Sequence, residues 1–496
     1  MNPKSVCVIG AGPVGIWTAS RLVKNGLRVE LLEAGYQDRE SELLNRTNYK
    51  FLTPSAIPEH VHQVGGGSNL WMSRIGEFLP SDFETIPEVR KDSWPLQKND
   101  LDEHYRDCYE FLVQTRLLDE EFLEKFLKLR RDDLPEELDF RLFRFGEMDA
   151  FNRLLGELKE DTLFSIKQGH RVNSIASDHQ KDQVIINCEL ENSEQKDFIY
   201  DYVVVAAGAM QSASLLAKSP TFSNYDGFHL VGKGLMEHFD GYVGRLRIKR
   251  NQSAKIADFL LTKDRKLPGF NQNFGVGVRF SDQKNSSNGF VSAHFEFTHY
   301  QPRYCFDANA LEIRHQRMSK WKKELILKTL FQIERLLVKA FSLIRQFYLR
   351  IIDRIDYSIW LKGEELLNEE SKLEFSGNNV LYAHRISEKS SNEIRRILLE
   401  LSKVFKENSM GKITYYKSLM KIDSLFYLRP NWHPMGTLRA SSLNETVCDE
   451  KFRFGKSDRI FVASAATFPS GSNSNPTFTA MATGGFIADY LHNLVY

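Results

Sequence analysis

The chain opens with an apolar run, Val6-Cys-Val-Ile9, closed by glycines at Gly10, Gly12 and Gly15. Such a run, bounded by glycine, predicts a strand buried on both faces. A helix is expected to follow as far as Asn25-Gly26, then a second strand from Arg28 to Leu32 that ends at Glu33. Strands are expected again from Phe164 to Val205, where Gln183 to Leu190 alternates apolar and polar positions and Asn192 to Asp197 supplies a hairpin loop. Phe274 to Arg279 and Gly289 to Phe297 read as antiparallel strands, Arg459 to Ala463 as one more strand, and Thr477 to Leu494 as a closing helix. Two stretches read as helical instead. Phe111 to Arg144 interleaves Lys and Arg with Asp and Glu, as a solvated helical face does. Leu311 to Lys362 holds neither Gly nor Pro. Within it Ile326, Leu330, Ile333, Leu337, Phe341, Ile344, Tyr348, Ile351 and Ile355 recur at spacings of three and four.

The predicted class is α/β: a Rossmann-like nucleotide-binding domain interleaved with a substrate domain that carries an antiparallel sheet and helices. The nucleotide-binding parts are 1–110, 161–239 and 426–496. Residues 111–160 form a helical substrate-side segment, and 240–425 the substrate domain with its long helical insertion 311–362. No internal repeat or low-complexity tract is present.

Strand, G-x-G-x-x-G turn, helix, second strand and acid fall in order within one unit. The glycines allow a tight turn and let the backbone approach a pyrophosphate at the helix start, and Glu33 is placed to hold a ribose hydroxyl. The alternative is a tight strand–helix turn with a surface Glu. This motif does not separate FAD from NAD. A second glycine cluster, His62-Gln-Val-Gly-Gly-Gly-Ser-Asn-Leu-Trp71, leaves backbone amides free to approach a flat ligand, or is a flexible loop. Near the C-terminus, His433-Pro-Met-Gly-Thr437 and Ser474-Asn-Pro-Thr-Phe-Thr479 place a histidine and an Asn-Pro about forty residues apart. The histidine can take a proton near neutral pH. Asn475 before Pro476 suits a helix cap, and such a helix start is a source of positive potential.

These segments, in this order, resemble the glucose–methanol–choline (GMC) oxidoreductases, a family of FAD enzymes. Gly10 to Glu33 with Ala34-Gly35 is similar to the family's nucleotide-binding start, and Gly65 to Trp71 to its flavin-contacting loop. Ser93-Trp-Pro95 with Tyr105, Val203 to Ala213, Gly232 to His238, and Glu364 to Asn368 through Ser371-Lys-Leu373 resemble further family segments, the last being the return into the substrate-domain sheet. The resemblance implies FAD bound at Gly10, Gly12, Gly15, Glu33, Gly66, Gly67, Ser68, Asn69, Ala207, Gly208, Ser464, Asn475, Pro476 and Thr477. It implies His433 as the base and Asn475 as the partner that holds an alcohol oxygen, with hydride passing to flavin N5. The implied substrate is a sugar, polyol or other CH–OH donor, and the acceptor a quinone, a carrier protein or oxygen. His238 and His384 are expected to be structural. Where some members carry a flavin-linking histidine, this chain has Ser68-Asn69-Leu70, so the FAD is expected to be non-covalent. Ser464 stands where many members carry Asp, and Gly436-Thr-Leu-Arg-Ala440 departs from the family's usual Met spacing.

Composition narrows the setting. With 496 residues, 42% hydrophobic, the chain can bury a large core or two domains. A net charge of +1 implies no bulk attraction to nucleic acid. Cys7, Cys108, Cys188, Cys305 and Cys448 are odd in number and scattered, so neither a disulfide frame nor a metal site is expected. A cytoplasmic location is expected, with no uninterrupted membrane span. The insertion 311–362 carries excess Lys and Arg on its polar faces. It reads as a helix packed on the substrate domain, as a basic amphipathic surface lying peripherally on the inner membrane face, or as a partner helix. Three functional alternatives stand beside alcohol oxidation: a lyase of the hydroxynitrile type on the same fold, an NAD(P)H monooxygenase, and a membrane-associated flavoprotein without catalysis. The monooxygenase predicts a second G-x-G-x-x-G, which the middle of the chain lacks.

Overall fold

The computed structural model describes residues 3–39, 48–51, 62–85, 94–127, 129–178, 180–219, 222–250, 265–266, 273–281, 292–299, 340, 344–345, 347–377, 379–416, 429–430, 433–442 and 446–496. The strand Ser5–Ile9 pairs in parallel with Arg28–Leu32 on one side and Tyr202–Val205 on the other. Phe164–Lys167 and Ile460–Val462 extend the two edges, giving a five-stranded parallel sheet. Val6, Cys7, Val8, Val203, Val204 and Val205 are fully buried, which is why these strands read as apolar runs. The helix Pro13–Lys24 packs against the closing helix Pro476–Val495. They approach closely because a Cβ at Gly484 would lie 2.2 Å from Thr18 Oγ1.

The second large sheet is antiparallel and holds nine strands. Its main path runs Lys412–Tyr415, His238–Lys249, Arg354–Glu364, Ala293–His299, Asn273–Phe280, Leu138–Phe145, Arg74–Ile75. The helix Glu388–Glu407 covers it. Ser387 caps that helix by accepting from Ser390 N at 3.0 Å, and Ile394, Ile397, Leu398, Leu401, Val404 and Phe405 form its buried stripe. The two sheets have separate cores, and their joint carries the candidate site.

Four local expectations are corrected. Phe111 to Arg144 is not one solvated helical face. Helix Asp102–Val113 and shorter turns give way to the strand Leu138–Phe145, with Arg141 and Arg144 buried. The helical stripe does not reach Ile355. Residues 347–351 are helical, but Asp353 adopts φ +52° and the strand Arg354–Glu364 begins directly after it. Asp tolerates this left-handed conformation, so the chain reverses without Gly or Pro. Gln195 already belongs to the strand Gln195–Tyr200, so the hairpin loop is shorter than expected and turns at Ser193, φ +65°. Lys372–Ser376 does not return into the substrate-domain sheet; it pairs with Asn379–Ala383 in a separate three-stranded sheet with Asn48–Phe51. The stripe from Ile326 to Phe341, together with Cys305, Gly289 and Ser93, lies outside the described residues.

Candidate active site

Three backbone turns converge at the C-terminal ends of the parallel strands. At Gly10, φ +103°, a Cβ would meet Ala206 O at 2.9 Å, so this turn lies on the end of the strand Tyr202–Val205. At Gly15 a Cβ would lie 1.9 Å from Gly10 O, which brings the helix close to its own turn. Gly66 opens a short turn, Gly66–Asn69, and its Cβ would meet Gly12 Cα at 3.1 Å. Ser68 donates to Gly65 O and Asn69 to Val64 O, at 2.7 and 2.9 Å, which fix this loop from within. Gly208, φ +73°, begins the helix Gly208–Ala217 beyond Ala207, beside Gly10.

The same glycines test whether a dinucleotide fits. A Cβ at Gly12 or Gly67 would meet nothing within 4 Å, and at Gly208 only Gln211 Oε1 at 3.9 Å. The turns are packed behind and open in front, as a phosphate cradle requires. Glu33 is buried, and its two oxygens accept from Ala11 N and Gly35 N at 2.7 and 2.8 Å. Burial raises its pKa against those bonds. The carboxylate therefore braces the turn, a role the ribose assignment did not include. Ser464 is also buried and accepts from Ala466 N at 3.2 Å, capping the turn Ala465–Thr467.

The loop between Ser470 and Asn475 is pinned on every side. Trp94 donates to Ser470 Oγ at 2.8 Å, Ser472 Oγ to Asp82 at 2.5 Å, and Asn473 Nδ2 to Ser292 Oγ at 2.8 Å. Glu364 accepts from Ser472 N at 3.0 Å, which helps hold Ser472 at φ +60°. Arg141, wholly buried, donates to Asn473 Oδ1 at 2.9 Å and Glu77 O at 2.7 Å, and also bonds Ser474 Oγ. Asn475 sits at the N-cap of the closing helix, but its side chain caps no amide. Its Oδ1 accepts from Lys362 Nζ, and its Nδ2 donates to Arg74 O at 3.3 Å. Pro476 occupies the first helical turn, with Thr477 after it.

His433 meets this loop through Glu237 and His238. Glu237 accepts from His433 N at 2.7 Å and from Tyr382 OH at 2.7 Å. Burial pushes the Glu237 carboxyl up to about 7 despite those bonds. His238 Nδ1 lies 3.1 Å from His433 Nδ1. Its Nε2 faces Gly471 O and Ser472 O at 3.1 and 2.9 Å. His238 is thus tied to the site rather than remote from it; His384, expected to be structural, pairs with Glu365.

Charge completes the setting. Burial, Lys362, His238 and Arg74 hold the His433 imidazole well below its ordinary pKa. Burial and Arg74 bring the Lys362 ammonium down to about 7. Burial alone would raise Glu296, but Arg74 and His294, both bonded to it, keep it well below the carboxylate range. Arg141 and Lys362 were missed at the level of sequence, since one lies in a charged run and the other at the end of the presumed helix. Among the described residues no group of His, Cys, Asp and Glu could hold a metal ion, and no helix is long and apolar enough to cross a membrane.

Comparison with known proteins agrees with this fold. Residues 379–484 match the GMC oxidoreductase family model, and residues 5–242 the FAD dependent oxidoreductase model. The 6'''-hydroxyparomomycin C oxidase of Streptomyces lividus is 24% identical over 314 residues, which cover 48% of this chain and 55% of that protein. The match therefore spans about half the length of that curated relative. Pyridoxine 4-oxidase from Mesorbium loti has a similar fold, with a TM-score of 0.57 and 15% identity over 99% of both chains. A fungal aryl-alcohol oxidase aligns over 100% of this chain and 99% of its own, with a TM-score of 0.55 and 11% identity.

Proposed function

The chain belongs to the GMC oxidoreductase family, and from that premise we propose that it oxidises an alcohol to a carbonyl compound with non-covalent FAD as hydride acceptor and His433 as base. One observation carries this reading: the glycine turn and Asn475 open two helices, Pro13–Lys24 and Pro476–Val495, that run side by side with their N-terminal ends together, and His433 is tied through His238 to the loop before Asn475. Gly10, Gly12, Gly15, Gly66, Gly67, Ala207 and Gly208 would hold the dinucleotide, and bound FAD supplies a two-electron acceptor at N5.

The protein's share is proton handling and positioning. His433, kept neutral by burial and by the cations around it, takes the hydroxyl proton. Asn475 Nδ2 holds the substrate oxygen, while Lys362 and Arg74 orient the amide. The start of the closing helix at Pro476 contributes positive potential where negative charge develops. The substrate is a sugar, polyol or other CH–OH donor, and the electrons leave to a quinone, a carrier protein or oxygen. The test is the visible spectrum of the FAD-loaded protein under nitrogen, before and after addition of sugars and simple alcohols. Bleaching of the flavin bands is expected, and His433→Ala should abolish it while flavin stays bound. Cleavage of a cyanohydrin with no bleaching by any alcohol would instead make the protein a lyase.

A second reading concerns the insertion. Ile344, Phe347, Tyr348 and Ile351 are all more than half exposed, whereas Leu349 is buried. This end of the apolar stripe faces outward. Residues 311–354 hold eleven Lys and Arg against four Asp and Glu. We propose that this segment rests peripherally on an anionic membrane. Co-flotation with phosphatidylserine vesicles, lost in Phe347→Glu, is the expected result; equal recovery with neutral vesicles would remove the electrostatic part.

A further inference from the structure

We propose that His238 is a positioning residue that sets the tautomer of His433, holding its proton on Nδ1 and leaving Nε2 bare as the basic nitrogen. The inference rests on His433 being the base and adds the group that prepares it.

The argument begins at the far end of the chain of contacts. Gly471 O and Ser472 O both face His238 Nε2, at 3.1 and 2.9 Å. Carbonyl oxygens only accept, so His238 Nε2 carries a hydrogen. A neutral imidazole has one such hydrogen, and His238 Nδ1 is then a bare acceptor. His238 is buried, and burial together with Lys362 brings its pKa down to about 3, so it is neutral at ordinary pH. His433 Nδ1 lies 3.1 Å from that acceptor. Two bare nitrogens cannot form a hydrogen bond, so His433 Nδ1 must donate. Its single hydrogen is used there, and Nε2 keeps its lone pair. The rings meet edge to face, with centroids 5.2 Å apart, so the contact is in-plane for one ring rather than a stack.

Two features make the arrangement stiff. Glu237, next in the chain, grips the backbone amide of His433 at 2.7 Å, so one dipeptide holds both the backbone and the ring. The carbonyls that orient His238 belong to the loop that also presents Asn475, held by Glu364 and Asp82. When Nε2 accepts the hydroxyl proton, Nδ1–H still points at His238, and the new charge is shared along a chain that ends on Ser472 O. The opposite tautomer would direct an N–H at the substrate hydroxyl and offer no base.

The test uses the full chain loaded with FAD and labelled with 15N-histidine, with His433 assigned by its absence from His433→Gln. In the wild type, His433 Nδ1 should show the protonated, pyrrole-type shift and Nε2 the bare, pyridine-type shift. His238→Phe keeps a ring but no acceptor, and His238→Asn keeps an oxygen near the Nδ1 position. Flavin reduction at saturating alcohol should fall roughly a hundredfold in His238→Phe, with substrate affinity within about threefold, and should recover most of the loss in His238→Asn. The tautomer should become mixed in the Phe variant and return in the Asn variant. If His238→Phe fails to fold, the wild-type shifts and the Asn variant still decide. A wild-type His433 protonated on Nε2 overturns the proposal, as does a tautomer unmoved in His238→Phe or one that stays mixed in His238→Asn. The predicted shifts with no alcohol able to bleach the flavin uphold the tautomer assignment and overturn the alcohol reading instead.

Discussion

Lys362 Nζ donates to the side-chain oxygen of Asn475, so a buried ammonium on a strand of the antiparallel sheet orients the amide at the head of the closing helix. The same ammonium lies near His433 and lowers its pKa. A base with a lowered pKa stays competent as pH falls below the ordinary histidine value and is lost only near its own folded pKa. The acid limb of flavin reduction should therefore fall below about 6.5 in the wild type. In Lys362→Met it should move upward, because a cation has been removed from beside the imidazole. Stopped-flow pH profiles check this, and superimposed limbs would show that Lys362 does not act on His433.

Gly12 and Gly15 should separate cofactor binding from folding. A Cβ at Gly12 meets nothing, and φ there is −76°, so Gly12→Ala should keep its melting temperature and lose flavin. Gly15→Ala would place a methyl 1.9 Å from Gly10 O and should lower the melting temperature of the flavin-free protein. Equal flavin content in Gly12→Ala and the wild type would move the pyrophosphate away from this turn.

Arg141→Met should cost about 1–3 kcal/mol, because the buried acceptors Asn473 Oδ1 and Glu77 O would lose their donor, while Asp119 keeps Arg144 at 3.2 Å. Urea unfolding measures it. A loss within about 0.5 kcal/mol, as for ordinary surface changes, would mean the guanidinium is not what anchors the loop.

Glu237 makes stability depend on pH with a defined sign. Its folded pKa of about 7 lies above the ordinary carboxyl value. Its contribution is complete below about 4.5 and is lost as pH rises through 7, a change of about 3 kcal/mol. Glu237→Gln, which does not titrate, should lack that slope, so the stability difference between the two proteins should change between pH 5 and 8. A constant difference across that range would place the Glu237 pKa elsewhere.

Acid precipitation should leave the flavin in the supernatant, since Ser68, Asn69 and Leu70 offer no imidazole for attachment. A yellow pellet would refute the non-covalent assignment.

The parts legible in the sequence are those in which neighbours along the chain make the chemistry. The glycine turn, its two strands and Glu33 form one local unit, and Asn-Pro marks the start of the closing helix. What the sequence hid depends on distant partners. Arg141 looks solvated within a run of charges until Asn473 and Ser474 close over it. Lys362 follows a helical pattern, and only the reversal at Asp353 shows that it stands on a strand. His238 lies 195 positions from the imidazole it touches, so no local spacing marks the pair. The glycine loop was legible, but Gly66 resting on Gly12 was not.

The parallel sheet has a consequence for biosynthesis. Its centre forms from Ser5–Ile9, yet one edge is Ile460–Val462, and the loop that organises His238 follows at 470–475. A chain emerging from the ribosome can assemble the first strand–helix–strand early but must wait until Val462 has emerged before the sheet is complete. Until then Tyr202–Val205 presents an unpaired, wholly apolar edge. Slowed translation late in the message should lengthen that exposure and raise the demand for chaperones, whereas a pause before residue 200 should not.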